Sequence, residues 1–184
     1  MGLQAEFRLY PLARLVHLLE KGDLDVALIL ARSPEREVKF AFPTQPWLHT
    51  TSVMIVREDS PLERIQGAQD LAGMRVAYWS GGYVPTLLRD ESIRLSPTTG
   101  IEIREKVLEC LANRRFDAFY LPTALFAGNI PPGSGFRQVP LPEPPLPLYS
   151  VFSHKKEKAL LEGYESALRE QMAIQPLVLE KPSI

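Results

Sequence analysis

The amino-acid sequence predicts an α/β protein of two lobes with mainly parallel sheets. Short continuous apolar runs of strand length, such as residues 25–30 and 74–79, alternate with segments of helical periodicity. One plan also occurs twice. In Leu19-Glu-Lys-Gly-Asp-Leu-Asp25 and in Leu111-Ala-Asn-Arg-Arg-Phe-Asp117, a helix stops, a short polar turn follows and an aspartate opens an apolar strand. The repetition reads either as one βαβ module used in each half or as two generic helix–strand turns. The length of 184 residues suits one large domain or two small lobes, and two lobes would place a ligand cleft between them.

Leu9, Leu12, Leu15, Val16 and Leu19 recur at helical spacing, with Pro11 near the first turn and Gly22 as a stop, so a helix is expected over residues 11–21. Residues 25–30 are expected to be a strand buried on both faces, because their apolarity is continuous rather than alternating. A short strand near residues 38–42, a loop rich in Pro, Trp and His, and a strand over 51–56 come next. Asp70-Leu-Ala-Gly73 reads as a turn and residues 74–79 as a buried strand. Ser80-Gly-Gly-Tyr83 is a sharp turn into a helix that tolerates Pro85 in its first turn. Residues 93–95 mark a strand, Ile103, Val107, Leu108 and Leu111 a helix ending at Asn113, and residues 117–121 a further strand. Strands at 136–141 and 148–152 bracket a proline-rich loop. Leu160, Leu161, Tyr164 and Leu168 make a last amphipathic helix, and residues 175–184 read as a frayed tail.

Composition narrows the function. Lys+Arg is 21 against Asp+Glu 22, a formal net charge of -1, which argues against a polybasic nucleic-acid or membrane-surface protein. No apolar run reaches the roughly 18 residues of a transmembrane helix. The lone Cys110 excludes an intramolecular disulfide, and its place among Leu108, Leu111 and Ala112 reads as a buried structural thiol. His17, His49 and His154 lie in separate segments without metal-ligand spacing, and no G-x-S-x-G, H-E-x-x-H, P-loop or G-x-G-x-x-G motif occurs. No metal and no cofactor is therefore expected. The N-terminus shows no basic region followed by an apolar stretch and a cleavage site, and Glu6 stands where myristoylation needs Ser or Thr. Proline, 17 of 184 residues, is about 9% against a usual value near 5%, and five prolines between 140 and 147 stiffen one late loop.

Five stretches, taken in order, resemble the bacterial extracellular solute-binding proteins of the amino-acid-binding (family 3) type. Pro11-Leu-Ala-Arg14 to Gly22-Asp-Leu-Asp25 resembles that family's helix ending in G-x-x-D. Ser33-Pro-Glu-Arg36 with Phe40-Ala-Phe-Pro and Pro46-Trp47 resembles T-x-x-R … F-S-x-P-Y. Asp70-Leu-Ala-Gly-Met-Arg-Val-Ala is similar to D-L-x-G-K-x-V-G-V, residues 111–118 to L-x-x-G-R-x-D-A, and residues 146–153 to the strand before the last helix. The resemblance implies a type II periplasmic-binding-protein-like fold, with residues 1–56 and 146–184 in the first lobe and 57–145 in the second. In the family, a strand, a substrate-facing loop and a first helix precede the segment that opens this sequence. The first lobe is thus expected to be incomplete, as in an N-terminally truncated member, with unpaired backbone groups or an open groove.

The resemblance also implies site residues. Arg36 matches the arginine that holds a ligand carboxylate through its planar guanidinium fork. A solvated loop arginine is the other reading, and Arg32 is near enough to be the alternative fork. Ser80, Gly81, Gly82 and Tyr83 match a turn whose backbone N–H groups approach an anionic ligand at a helix N-terminus, unless they form an ordinary tight turn. Tyr10 and Trp47 match cleft-lining aromatics or pack in the core or hinge, and Trp79 suits either role. Pro122, followed by Thr123, stands where amino-acid binders carry the acidic residue that accepts from the ligand ammonium, so an ordinary α-amino acid is not expected to be held in the family manner.

The function so implied is non-catalytic binding of a small polar or anionic solute, as the substrate-binding component of an ABC transporter, with hinge closure coupled to binding. An ABC permease is the partner implied, and a second copy completing the first lobe is another. Nucleic acid is not. A sensory or regulatory module of the same fold is the alternative. A prephenate-dehydratase-like enzyme is a third reading, for which Glu143 is the one carboxylate to nominate. The resemblance implies a periplasmic location, with a cytoplasmic one as the alternative because no signal peptide is visible in the sequence.

Overall fold

The computed structural model describes residues 4–100, 103–125, 130–131, 133–155 and 158–174. The chain forms two units, Met1–His49 with Pro147–Ile184, and Thr50–Leu146. It leaves the first unit after His49 and re-enters it at Pro147. The units divide after residue 49, where the expected boundary stood at 56, and among the described residues the strand over 52–57 pairs with strands of the second unit.

In the first unit, α1 (Leu12–Lys21) begins behind Pro11, whose fixed φ suits a helix start, and stops at Gly22, whose φ of 85° is left-handed. The amides of Gly22 and Asp23 both return to Leu18 O, at 3.0 Å each, satisfying carbonyls that the helix end would orphan. β1 (Val26–Ala31) follows, then α2 (Pro34–Glu37), a single turn that sequence periodicity does not reveal. β2 (Phe40–Ala41) and β3 (Leu48–Thr50) come before the crossing. β9 (Leu146–Ser153) runs through the middle of the sheet, in the order β1-β9-β2, with β3 also paired to β9. Leu19, Ala27, Leu30, Phe40, Tyr149 and Val151 form the core beneath α1. α4 (Lys158–Ile174) closes the described part of this unit, and its Tyr164 hydroxyl donates to Ser150 Oγ at 2.8 Å.

Two expectations are corrected here. β1 is not buried on both faces. It lies at the edge of the described sheet, Leu28 is 48% exposed, and Ile29 sits at φ 62° where the register shifts between Ala27 and Leu30. Continuous apolarity arises here from a bulge, which turns successive residues out of the simple two-face alternation. Nor is the pairing parallel, since β1 and β2 both run antiparallel to β9.

The second unit holds a five-stranded sheet in the order β6-β5-β7-β4-β8. Its strands are β4 (Ser52–Arg57), β5 (Arg75–Trp79), β6 (Arg94–Thr98), β7 (Ala118–Pro122) and β8 (Phe136–Pro140). β5 is parallel to β6 and β7, whereas β4 is antiparallel to β7 and β8, so the sheet is mixed. A returning strand in the sheet explains the difference from the parallel expectation, because helix crossovers no longer connect every neighbour. Met54, Val56, Leu71, Val76, Leu88, Ala118 and Tyr120 lie at the centre of one core cluster. α3 (Ile103–Ala112) buries Val107, Cys110 and Leu111, so the thiol is structural as expected.

The helix expected after Ser80-Gly-Gly-Tyr83 does not form. Pro85 instead precedes a 3-10 turn, Thr86–Arg89, which buries Leu88. Asp90 ends it and accepts from the amide and hydroxyl of Ser92, at 2.9 and 2.6 Å, leaving no length for an α-helix before β6. The expected tail, residues 175–184, lies outside the described residues.

Candidate functional site

Three nominated residues lie in the first unit, each held by a different neighbour. Tyr10 is half-buried just ahead of α1, with the Arg14 guanidinium 5.5 Å from its ring centroid. Trp47 is half-buried, and its amide donates to Leu148 O at 2.8 Å, anchoring the approach to β3. Arg36 lies on α2 and its Nη1 donates to Ala31 O at 2.7 Å. Burial lowers the Arg36 pKa, with Glu35 working against that shift. Its guanidinium thus serves the main chain of β1, whatever else it meets.

Arg32 is held differently. Its guanidinium carbon stands 5.1 Å from the centroid of Phe42 and 4.9 Å from that of Tyr149, and those two rings meet edge-on at 85°. Its Nε is 3.1 Å from Glu37 Oε1, an ion-pair distance, but is covered from solvent without an aligned hydrogen bond. Two arginines four residues apart signal this loop in the sequence; which of them the aromatics hold is a matter of packing.

In the second unit, the nominated residues gather at one edge of the sheet. β5 and β7 are parallel, with Tyr78 opposite Tyr120, so the turn after Trp79 and the residues after Pro122 emerge side by side. Loops at the carboxyl ends of parallel strands are where α/β sheets place ligands. The turn itself is tight: Gly82 N–H donates to Trp79 O at 2.7 Å, Gly81 has φ 82°, and Ser80 N–H donates to Thr98 O at 2.8 Å. A Cβ on Gly82 would stand 2.7 Å from Trp79 O, so glycine is required there for close approach. Because the following segment is a short 3-10 turn, the expected helix N-terminus for an anion is absent. Trp79 is buried and tilted against Phe119, with ring centroids 6.2 Å apart, so its role is packing.

Thr123 sits in a cluster of hydroxyls. Its Oγ1 lies 3.0 Å from Thr50 Oγ1 and 3.1 Å from Thr51 Oγ1, and its amide donates to Thr51 O at 2.9 Å. Thr50 Oγ1 in turn accepts from Ala124 N–H at 2.9 Å. Pro122 is buried at the end of β7, opposite Ser52. Tyr120, which the sequence reading did not nominate, lies on the neighbouring strand β7. The Tyr120 phenol is pushed well above its usual pKa by burial, with the charges of Glu143 and Tyr83 adding to the rise, and its hydroxyl is 3.5 Å from Ser52 Oγ. Burial raises the Glu143 carboxyl too. Tyr83, Tyr120 and Glu143 thus belong to one electrostatic neighbourhood at this sheet edge.

Among the described residues, no group of three or more His, Cys, Asp or Glu is arranged to hold a metal, and no helix is long and apolar enough to cross a membrane. No curated protein matches the chain. Solved structures do. Holo ArgBP from T. maritima is 22% identical, with a TM-score of 0.73 over 86% of this chain and 69% of that one. An amino acid ABC transporter substrate-binding protein from Streptococcus pneumoniae, bound to L-arginine, is 19% identical, with a TM-score of 0.76 over 94% and 73%. An ancestral arginine-binding protein bound to arginine is 21% identical, with a TM-score of 0.75 over 95% and 76%. At these identities the likeness is one of fold. The sequence itself matches the family over residues 1–175, and the chain belongs to the bacterial extracellular solute-binding proteins, family 3.

Proposed function

We propose that this chain binds a small polar or anionic solute without transforming it, as the substrate-binding component of an ABC transporter. The observation that carries the reading is the convergence of the Ser80-Gly81-Gly82-Tyr83 turn and Thr123 at the carboxyl edge of β5 and β7. Family membership supports it. Arg36, Tyr10 and Trp47 are the first unit's contribution to ligand contact, and Ser80, Gly81, Gly82, Tyr83 and Thr123 the second's. The partner is an ABC permease and the location periplasmic, both in keeping with the family.

The ligand is not an α-amino acid held through its ammonium group. Pro122 supplies neither a carboxylate nor an N–H, and the hydroxyl of Thr123 is engaged by Thr50 and Thr51. Thermal melting against a panel of polar metabolites tests both statements, since a ligand at 100 times its Kd adds about 2.7 kcal/mol. Carboxylates without an α-amino group are expected to raise Tm. No shift with any member of the panel overturns solute binding. A tight, stereospecific response to L-arginine overturns the exclusion of amino acids.

A second copy is proposed as a further partner, pairing along the outer edge of β1. Support comes from Leu28 at 48% exposure on that edge, with Phe7, Leu9 and Val38 of the same unit exposed by 79–84%. Light scattering across a concentration series tests it, and a monomer throughout overturns it.

A further inference from the structure

We propose that the amino end of the second unit's sheet docks an acidic protein segment, at the opposite end of the parallel strands from the Ser80–Tyr83 turn. The strand register sets Arg94 of β6 beside Arg75 of β5, Arg75 beside Asp117 at the head of β7, and Asp117 beside Arg57 at the end of β4. Arg114 and Arg115 stand in the turn just before Asp117. One end of the sheet therefore carries five guanidinium groups. Three of them are committed. Arg57 is 17% exposed and its Nη1 donates to Leu111 O and Phe116 O, at 3.2 and 3.3 Å, holding the end of α3. Arg75 meets Asp117 at 2.9 Å, and Arg114 meets Asp59 at 2.7 Å. Arg94 and Arg115 are exposed, and neither side chain makes an ion pair or hydrogen bond among the described residues.

The pattern selects the kind of partner. A planar guanidinium takes a carboxylate by two parallel charge-assisted hydrogen bonds. Strands lie about 4.8 Å apart, so Arg94 and the start of β7 are separated by two spacings, roughly 10 Å. Two carboxylates on one face of an extended segment, two to four residues apart, span that distance. Met74, the residue before Arg75, lines a cavity of about 450 Å³ with Pro61, Leu62, Glu63, Arg64 and Asp70. The Arg94 amide donates to Met74 O at 3.0 Å, so the cavity opens beside the same strand ends. Its apolar wall suits a side chain of the segment between the carboxylates. A membrane or a nucleic-acid backbone needs a field of single sign. Here Asp59 and Asp117 lie within the row, exposed Glu58 follows Arg57, and Glu91 stands shortly before Arg94, so charges of both signs set a register instead.

Fluorescence anisotropy of the intact chain with a labelled Glu-Leu-Glu-Glu-Leu-Glu peptide tests the surface. Saturable binding that weakens as salt rises is expected, with none to the peptide carrying Gln for each Glu. Arg94→Gln combined with Arg115→Gln should raise the Kd about tenfold or more. Arg169→Gln, on the exposed side of α4, should leave it unchanged. Replacing both peptide leucines by serine should weaken binding severalfold if the cavity takes one of them. Thermal melting of the double variant should match the parent within about 2 °C, since exposed side chains without partners support little of the fold. Equal binding of the Gln peptide, an unchanged Kd in the double variant, or no binding at millimolar peptide overturns the proposal. So does a preference for phosphatidylserine vesicles or duplex DNA that depends on the same two arginines. None of these outcomes bears on solute binding, which is read separately from the Tm rise with carboxylates.

Discussion

Glu165 and Thr44, 121 residues apart in sequence, share one oxygen: Glu165 Oε1 accepts from the Thr44 amide at 2.6 Å and from its hydroxyl at 2.7 Å. The pair ties the segment between β2 and Trp47 to α4. It holds the Glu165 pKa below the ordinary 4.5, chiefly through the Thr44 amide and then its hydroxyl. A depressed carboxylate contributes stability above the unfolded pKa and loses it as pH falls through the folded one. Acid titration of stability should show this loss below about pH 4.5. Glu165→Gln should flatten that part of the curve and lower Tm at pH 7 by no more than about 3 °C, as suits an exposed group. An unchanged acid limb in the variant would refute the pairing.

The repeated helix–turn–Asp plan is geometric as well as textual. In the first copy, Gly22 is left-handed and Asp23 N–H returns to Leu18 O. In the second, Arg114 takes the same place with φ 50°, and Arg115 N–H returns to Cys110 O. Only the first copy has the residue suited to that φ. Gly22→Ala should destabilise by about 1–2 kcal/mol. Arg114→Gly should stabilise by about 0.5 kcal/mol, the relief of the left-handed cost exceeding the lost surface contact with Asp59. Chemical denaturation of the two variants reads both, and a destabilised Arg114→Gly would mean that the Asp59 contact dominates.

What the sequence made legible follows from how local each signal is. The helix of Leu12, Leu15, Val16 and Leu19 and the strands around Met54, Val76 and Phe119 follow from periodicity and apolar runs, and the structure has them within one or two residues. The Gly22 stop and the Gly81–Gly82 turn are likewise local. The antiparallel insertion of β9 was not readable, because pairing direction depends on chain return over more than 100 residues. The four-residue α2 is too short to show a period, and the missing helix after Pro85 was lost to the Asp90–Ser92 turn. In the site, motif order led to Arg36, whereas the aromatic corner around Arg32 joins residues 32, 42 and 149 and leaves no local pattern.

Asp117 joins the two parallel strands at their starts. Its carboxylate meets the Arg75 side chain at 2.9 Å (Nη2) and 3.1 Å (Nε), and also accepts from the Arg75 amide at 2.9 Å. Arg75 holds the Asp117 pKa below the ordinary 3.8, through its side-chain hydrogen bonds first. The aspartate that opens β7 is thus a fastening between β5 and β7. Asp117→Ala should cost about 1 kcal/mol, an amount set by one amide bond and a solvent-screened fork. Its effect on solute-dependent melting should be nil beyond that loss, which separates a structural aspartate from a ligand contact.

Gly82 tests the carboxyl-edge site directly. An added Cβ meets Trp79 O at 2.7 Å, so the turn must open or shift in Gly82→Ala. The clash should cost about 1–3 kcal/mol of stability. If the Ser80–Tyr83 backbone contacts the solute, the Tm rise produced by a bound carboxylate should vanish in Gly82→Ala while persisting in Asp117→Ala. Equal solute shifts in the two variants would remove the turn from the site.

Burial and edge exposure make opposite forecasts for two aliphatic residues. Ile55 is fully buried at the centre of β4, a strand paired with β7 on one side and β8 on the other. Ile55→Ala should cost about 2–5 kcal/mol through lost contacts and the cavity left behind. Leu28 projects from the β1 edge at 48% exposure, where a lysine keeps its stem on the apolar surface and its charge in water. Leu28→Lys should change monomer stability by less than about 0.5 kcal/mol. It should nevertheless abolish self-association, because a charge facing an open strand edge blocks edge-to-edge pairing. A Leu28→Lys protein that associates as the wild type does would show that β1 is not the joining edge.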